Sequence, residues 1–364
     1  MAQIYTNASI TLSATWATNP DQGCFVTTEQ QYRSRTKRFV NSDHNIYEVH
    51  YHEPLRGLAA PLQGRGWVFQ ERLLSRRIVH FMEQELWWEC RTSFQCECGD
   101  HTNGTLGIDK YWDPRERKMH SRPEIQDAWE RMVSIYALKS LTYPSDIFPA
   151  LQGLAKLVPS SMGRYLAGHW EFGLPHSLCW IAYTPAENNL TEWRAPSWSW
   201  AAIQGGVSWF KYVVDVGTWT IESCVTVLDA TTTPKGDDPM GQLSSGAIVL
   251  KGNFLAGKMQ QDKTTLERSV RPVSSDSVNC DLFWDRFIQG ESVQVVALQL
   301  LRVGDRMKPR AHCWLILRAV QGTKDEYERI GVLVSKGSDK WSSESKELDD
   351  FHEKEAREGE FKII

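Results

Sequence analysis

With 364 residues, 41% of them hydrophobic and 24% charged, the chain has the make-up of one large globular domain or two ordinary ones. A formal charge of -4 gives no electrostatic reason for nucleic acid or an anionic membrane face as an obligatory partner. Sixteen tryptophans are a heavy load, and each indole needs burial plus an acceptor for its N–H, so an aromatic core pinned by hydrogen bonds is expected.

The opening residues, MAQIYTNASITLSATW, carry no basic segment followed by an apolar run, so no secretory leader is read there. No stretch reaches the ~20 apolar residues of a membrane-spanning helix. The eight cysteines are scattered rather than framed, which predicts reduced thiols in a cytoplasmic protein and gives the sequons at Asn7, Asn103 and Asn189 no weight.

Along the chain, residues 7–16 alternate with Ile10, Leu12, Ala14 and Trp16 apolar, the pattern of a half-buried strand. Pro20 and Gly23 break it. Residues 25–63 are polar, with a weak strand near 46–51. From Gly64 the run GRGWVFQERLLSRRIVHF predicts a tight turn, a short helix and a strand. A second strand in ELWWEC makes a hairpin with it.

From Ser121 the period changes to helical. SRPE reads as a capping box, with Ile125, Ala128, Trp129, Met132 and Tyr136 on one face. A second helix follows YPSD, with Ile147, Leu151, Leu154 and Leu157 as its stripe, and the short turn predicts an antiparallel pair. After about residue 178 the chain is β-rich and fits a mostly antiparallel sheet or barrel. Residues 230–245 and 258–280 read as loops, 342–360 as a charged helix and the final FKII as a strand.

The fold class expected is therefore mixed α+β. Its divisions are a truncated α/β region over 1–105, a loop and helical pair over 106–177, and a mostly antiparallel β-rich region over 178–364.

Taken together, RGWVFQERLLSRRIVHF, ELWWEC, YPSDIFPALQGLA, RAPSWSWAAIQGG and YERIGVLV, in this order, resemble the fungal heterokaryon-incompatibility (HET) domain family. The chain departs from that family at its front, where the usual Leu-Ser-Tyr-x-Trp-Gly and Asp-x-x-Cys-Ile strands are missing. Two explanations stand: a start placed too late, or a shortened relative. The resemblance implies a cytoplasmic protein of fungal nonself recognition and regulated cell death, a signalling or toxic module. Its partners would be further copies of itself and other cell-death proteins.

Two alternatives are carried. The first, which the resemblance also suggests, is a TIR-like enzyme that cleaves NAD. Glu71 would be its carboxylate, with Arg65 and Arg72 on phosphate and Trp67 beside them, since guanidinium forks suit phosphate oxygens. The second is a small-molecule cyclase or isomerase of secondary metabolism, with an apolar pocket lined by Trp170, Trp180 and Trp198.

The competing structural readings make Gly66 a turn residue, Trp67 a core residue, and Glu71 an ion-pair partner of Arg65 or Arg76. Cys90, Cys96, Cys98 and His101 form a weak zinc-like cluster with unfamiliar spacing. Ser197 and Ser199 lack a nucleophile elbow and read as structural. Nothing in the sequence requires a cofactor.

Overall fold

The computed structural model describes residues 1–27, 35–51, 60–83, 85–97, 121–185, 192–213, 220–259, 280–286, 293–305, 308–336 and 356–364. It is mixed α+β and divides into two compact units. Unit 1 comprises residues 1–116, 139–142 and 150–157, and unit 2 comprises 117–138, 143–149 and 158–364. Among the described residues no helix is long and apolar enough to cross a membrane.

Unit 1 opens with helix α1 (Ala2–Asn7) and the short strand β1 (Thr11–Ser13). A separate antiparallel hairpin follows, β2 (Arg35–Val40) and β3 (Ile46–Tyr51). Its turn is closed by Asn41, whose side-chain oxygen accepts from the backbone of Asp43 and Asn45. Then come helix α2 (Gly66–Leu74) and strands β4 (Arg77–Phe81), β5 (Leu86–Cys90) and β6 (Phe94–Cys96).

These form a four-stranded sheet in the order β1-β4-β5-β6. β1 runs parallel to β4, and the β4–β5–β6 meander is antiparallel. Part of helix α4 (Pro149–Ala155) belongs to this unit and buries Leu151, Leu154 and Ala155 completely.

The turn, helix and hairpin expected over 64–90 are all present. The strand expected over 7–16 is not: it shrinks to three residues, and its inward face is reversed. Ile10 and Leu12 are exposed, at 46% and 63%, while Thr15 is fully buried. The cause is polar: Thr15 bonds the buried His80 through its hydroxyl, so the polar face of the segment turns inward.

Unit 2 begins with helix α3 (Arg122–Tyr136), which starts as the sequence predicts. The Ser121 hydroxyl accepts from Glu124 N at 3.4 Å, and the Glu124 carboxylate accepts from Ser121 N at 3.1 Å. Its stripe Ile125, Ala128, Trp129, Met132 and Tyr136 is buried. The next helical stretch is interrupted: Pro144–Ile147 is a 3-10 turn, and Pro149 starts α4 afresh, since proline cannot donate within a helix.

An aromatic region follows, with the short pairs β7 (Tyr165–Leu166) with β8 (His169–Trp170) and β9 (Trp180–Ala182) with β10 (Val207–Trp209), then helix α5 (Phe210–Val213). The remaining strands are β11 (Ile221–Ser223), β12 (Val225–Pro234), β13 (Leu243–Met259), β14 (Cys280–Trp284), β15 (Val293–Asp305), β16 (Lys308–Ala319), β17 (Glu326–Lys336) and β18 (Arg357–Ile363).

Strand β13 is long enough to serve two neighbours. Ile248–Phe254 pairs with β18, and Phe254–Met259 pairs with β15. With β15–β16, β16–β17 and the brief parallel β17–β18 pairing, the ring closes into a five-stranded barrel. Val295, Ala297, Trp314, Ile316 and Ile330 of the ring form an apolar cluster with Leu282 of β14, Val295/Ala297 and Trp314/Ile316 having the i, i+2 spacing of one strand face.

Three sequence expectations are corrected here. Of the expected loop over 230–245, residues 230–234 extend β12 and 243–245 open β13, since a run of β-branched threonines continues the ladder between them; of the expected loop over 258–280, residues 258–259 end β13 and Cys280 begins β14. Residues 357–360 are strand, not charged helix, because β18 pairs with β13. The expected loop over 260–279 and the rest of the expected helix, 342–355, lie outside the described residues.

Candidate functional site

The Gly64–Phe81 stretch is anchored by close backbone contact. Gly66 N donates to Ser140 O at 2.8 Å, and Ser140 N donates to Gly64 O at 2.7 Å. A Cβ on Gly66 would stand 2.5 Å from Leu141 Cδ2, so only glycine permits this approach.

Helix α2 then sends its charged residues in different directions. Arg65 is exposed, Trp67 is half-buried, and Glu71 accepts a hydrogen bond from the Tyr5 hydroxyl. Burial, with Glu71 alongside, pushes the Tyr5 phenol up to about 12. The partner of Glu71 is thus a phenol, where the structural reading offered Arg65 or Arg76.

Arg72 points into the core. Its Nε and Nη2 donate to the Glu89 carboxylate at 2.9–3.0 Å, a two-pronged grip. Glu89 also meets His80 Nε2 at 2.6 Å, and His80 Nδ1 lies 2.9 Å from the Thr15 hydroxyl. Ser13 Oγ is 2.9 Å beyond Thr15 Oγ1. Burial alone would raise the Glu89 carboxyl. The hydrogen bond to His80 and the Arg72 charge outweigh it and hold the group below its ordinary range.

The order of groups is that of a nucleophile–base–acid relay. Its hydroxyl end, Thr15, is wholly buried, and neither of the two cavities described below includes it. This relay ties β1, α2, β4 and β5 together. Of the expected phosphate-binding group, Arg72 is buried and bonded to Glu89, whereas Arg65 is exposed.

On the outer end of β4 and β5, Arg76, Arg77, Cys90, Arg91 and Thr92 line a cavity of about 370 Å³. Cys90 Sγ lies 3.3 Å from Ser93 Oγ and 3.4 Å from Thr92 Oγ1. Partial burial opposes ionisation, but the bonds from the Ser93 and Thr92 hydroxyls and backbones win and bring the thiol down to about 6. Cys96 is disulfide-bonded, which corrects the expectation of reduced thiols at that position. Of the expected metal cluster, Cys98 and His101 lie outside the described residues. Among the described residues no group of three or more His, Cys, Asp or Glu side chains is placed to hold a metal.

In unit 2 the tryptophans form a buried cluster. Trp129 and Trp200 both donate to Gly168 O, at 2.9 and 3.2 Å. Trp180 donates to Trp198 O at 2.9 Å, and Trp209 to Ser177 O at 2.9 Å. Trp170, Trp180 and Trp198 are at most 2% exposed, and neither described cavity is lined by any of them.

Beneath Trp180 lies Arg329, fully buried, its guanidinium 3.3 Å from the ring centroid. It donates to Asp285 at 2.8 and 3.1 Å and to the carbonyls of Leu178 and Trp180 at 2.6 Å. His169 stacks obliquely on Trp198, and burial, then the Arg329 charge, pushes its imidazole down to about 3. Ser197 is engaged by Ile364 O and by Arg329 N, and Ser199 donates to Ala167 O at 2.6 Å. Both serines are structural in these contacts.

The Arg329–Asp285 pair was not anticipated. The one sequence signal is an arginine inside the otherwise apolar strand RIGVLV.

Unit 2 also holds a cavity of about 710 Å³, between residues 192–204, the β12–β13 hairpin and the end of β18. Comparison with known proteins bears on unit 1 instead. Residues 1–71 match the family described as heterokaryon incompatibility protein (HET). The HET match covers part of the family domain and ends at Glu71, so β4, β5 and β6 lie beyond it. No curated protein and no solved structure matches the chain.

Proposed function

We propose that the chain is a HET-type module of fungal nonself recognition and regulated cell death, active in the cytosol as a signalling or toxic element. The observation that carries this reading is the HET match over residues 1–71.

The state of β1 supports a route through self-association. Among the described residues it is an edge strand of its sheet, and it presents Leu12 to solvent, with Ile10 exposed just before it. An unpaired edge flanked by apolar side chains is a template for a second chain. Further copies of the chain and other cell-death proteins are the partners this implies.

The NAD-cleaving alternative is weaker because Arg72, one of its two phosphate-binding arginines, is already bonded to Glu89. The cyclase alternative is weaker because Trp170, Trp180 and Trp198 are buried and line neither described cavity.

The test is induced expression in a filamentous fungus, scored for loss of viability and, on the purified chain, for NAD⁺ consumption. Death without NAD⁺ loss, abolished by Leu12→Lys, is the expected result. NAD⁺ consumption that stops in Glu71→Gln would replace this reading with the enzymatic one, and full viability at high expression would remove the cell-death role.

A further inference from the structure

The 710 Å³ cavity of unit 2 falls within the range of small-molecule sites, about 300–1,000 Å³. Its floor is the β12–β13 hairpin. The register Thr231↔Ala247 and Thr233↔Ser245 brings three hydroxyl side chains onto that floor. A hydroxyl both donates and accepts, so the floor suits a ligand that does the same.

The charged side chains around it balance: Glu192, Glu326 and Glu328 against Arg194, Arg286 and Lys362. Most are already answered. Lys362 Nζ meets Glu326 at 2.7 Å, and Glu328 is held by Arg318 at 2.6 Å. Arg194 donates to the carbonyls of Ala201 and Ile203 at 2.7 and 2.6 Å. A charged ligand would therefore meet side chains with no net charge to offset its own desolvation.

Among the described residues three lining groups remain open, the first being the exposed carboxylate of Glu192. Arg286 approaches Glu328 only to 3.7 Å, and among the described residues its buried Nε has no hydrogen-bond partner. Trp193 leaves 48% of its surface exposed at the wall, a flat apolar platform.

From this combination we propose that the cavity binds a neutral, polyhydroxylated ligand, a short oligosaccharide. The C–H face of one ring lies on Trp193. A hydroxyl or ring oxygen accepts from the partly exposed Arg286 guanidinium, and further hydroxyls exchange hydrogen bonds with Thr231 and with the hydroxyl pair in which Ser245 donates to Thr233. This site is independent of the HET reading, which concerns unit 1.

The experiment is saturation-transfer NMR with calorimetric titration of the full chain. The neutral probes are maltotriose, cellotriose, laminaritriose and tri-N-acetylchitotriose, with ATP and pyrophosphate as anionic counterparts. At least one trisaccharide is expected to bind saturably and the anions not. Trp193→Ala is expected to weaken binding by about tenfold, with Arg286→Gln as an independent second variant. Trp193 is half-exposed, so its variant retains the native circular dichroism spectrum. The proposal is overturned if none of the four trisaccharides binds, if an anion binds in their place, or if neither variant changes the affinity.

Discussion

At the residue scale, the strongest commitments are two buried ion pairs, Arg72–Glu89 and Arg329–Asp285. Removing one member of such a pair strands the other in a low-dielectric interior, at a cost of about 3–5 kcal/mol. Glu89→Ala should therefore lower unfolding free energy by about that amount in urea titrations. A loss below about 1 kcal/mol would show that the relay holds nothing.

The pH dependence has a definite sign. Glu89 is held below its ordinary 4.5 in the folded chain, so its stabilisation is present above that pH and fades as pH falls below it. His169 adds a second acid-sensitive step. Its folded value is about 3 against 6.5 unfolded, so the unfolded chain takes up the extra proton between those values. Stability should fall as pH drops from about 6.5 towards 3, and His169→Gln should flatten that slope in thermal melts followed against pH.

Cys90 offers a kinetic check. With its thiol near 6, its alkylation by iodoacetamide should reach half its plateau rate close to that pH. Cys224, whose thiol burial raises above 9.0, should stay slow. Peptide mass spectrometry across pH 5–9 distinguishes the two, and equal rates at pH 7 would refute the Cys90 assignment.

At the element scale, the turn at Gly168 illustrates how a single backbone position organises the tryptophan cluster. Its φ is +91°, and an added Cβ would collide with the Trp200 indole that donates to its carbonyl. A left-handed backbone costs a non-glycine residue roughly 1–3 kcal/mol, and overpacking costs a similar amount. Gly168→Ala should thus destabilise by about 2–5 kcal/mol in denaturant unfolding, with a matching loss of near-ultraviolet circular dichroism from the indoles. Retention of both signals would mean that the turn is not a keystone.

Much at this scale was legible beforehand. The Ser121 capping box, the face of α3 and the β4–β5 hairpin follow from local periodicity and capping chemistry. What misled was β1, where Ile10 and Leu12 look like core residues by alternation. That alternation carries no information about a polar partner 65 residues away, and His80 claims Thr15. The threonines at 231–233 misled in the other direction, because composition read as loop what a long partner strand, β13, holds in register.

At the scale of the whole molecule, chain order and compact unit do not coincide. Residues 139–142 and 150–157 return to unit 1 after α3 has entered unit 2. Sequence patterning sees the helix stripes over 121–157 but not this division, because local periodicity says which face is buried and not which unit buries it. Unit 1 needs the returning segments. The Arg65–Ser140 bridge anchors the start of α2. Gln70 accepts from Gly153 N, and Leu151, Leu154 and Ala155 are fully buried. A fragment ending at residue 120 keeps all of β1–β6 and α2 yet loses each of these contacts. Burying one leucine fully contributes about 1.5–3 kcal/mol, so losing two removes a large share of the ~5–15 kcal/mol that holds a domain. The fragment 1–120 is therefore expected to show a collapsed amide proton spectrum without methyl signals shifted by Trp67, Trp87 or Trp88. A dispersed, cooperative spectrum from it would mean that the sheet and α2 suffice, and that the returning segments decorate unit 1 without building it.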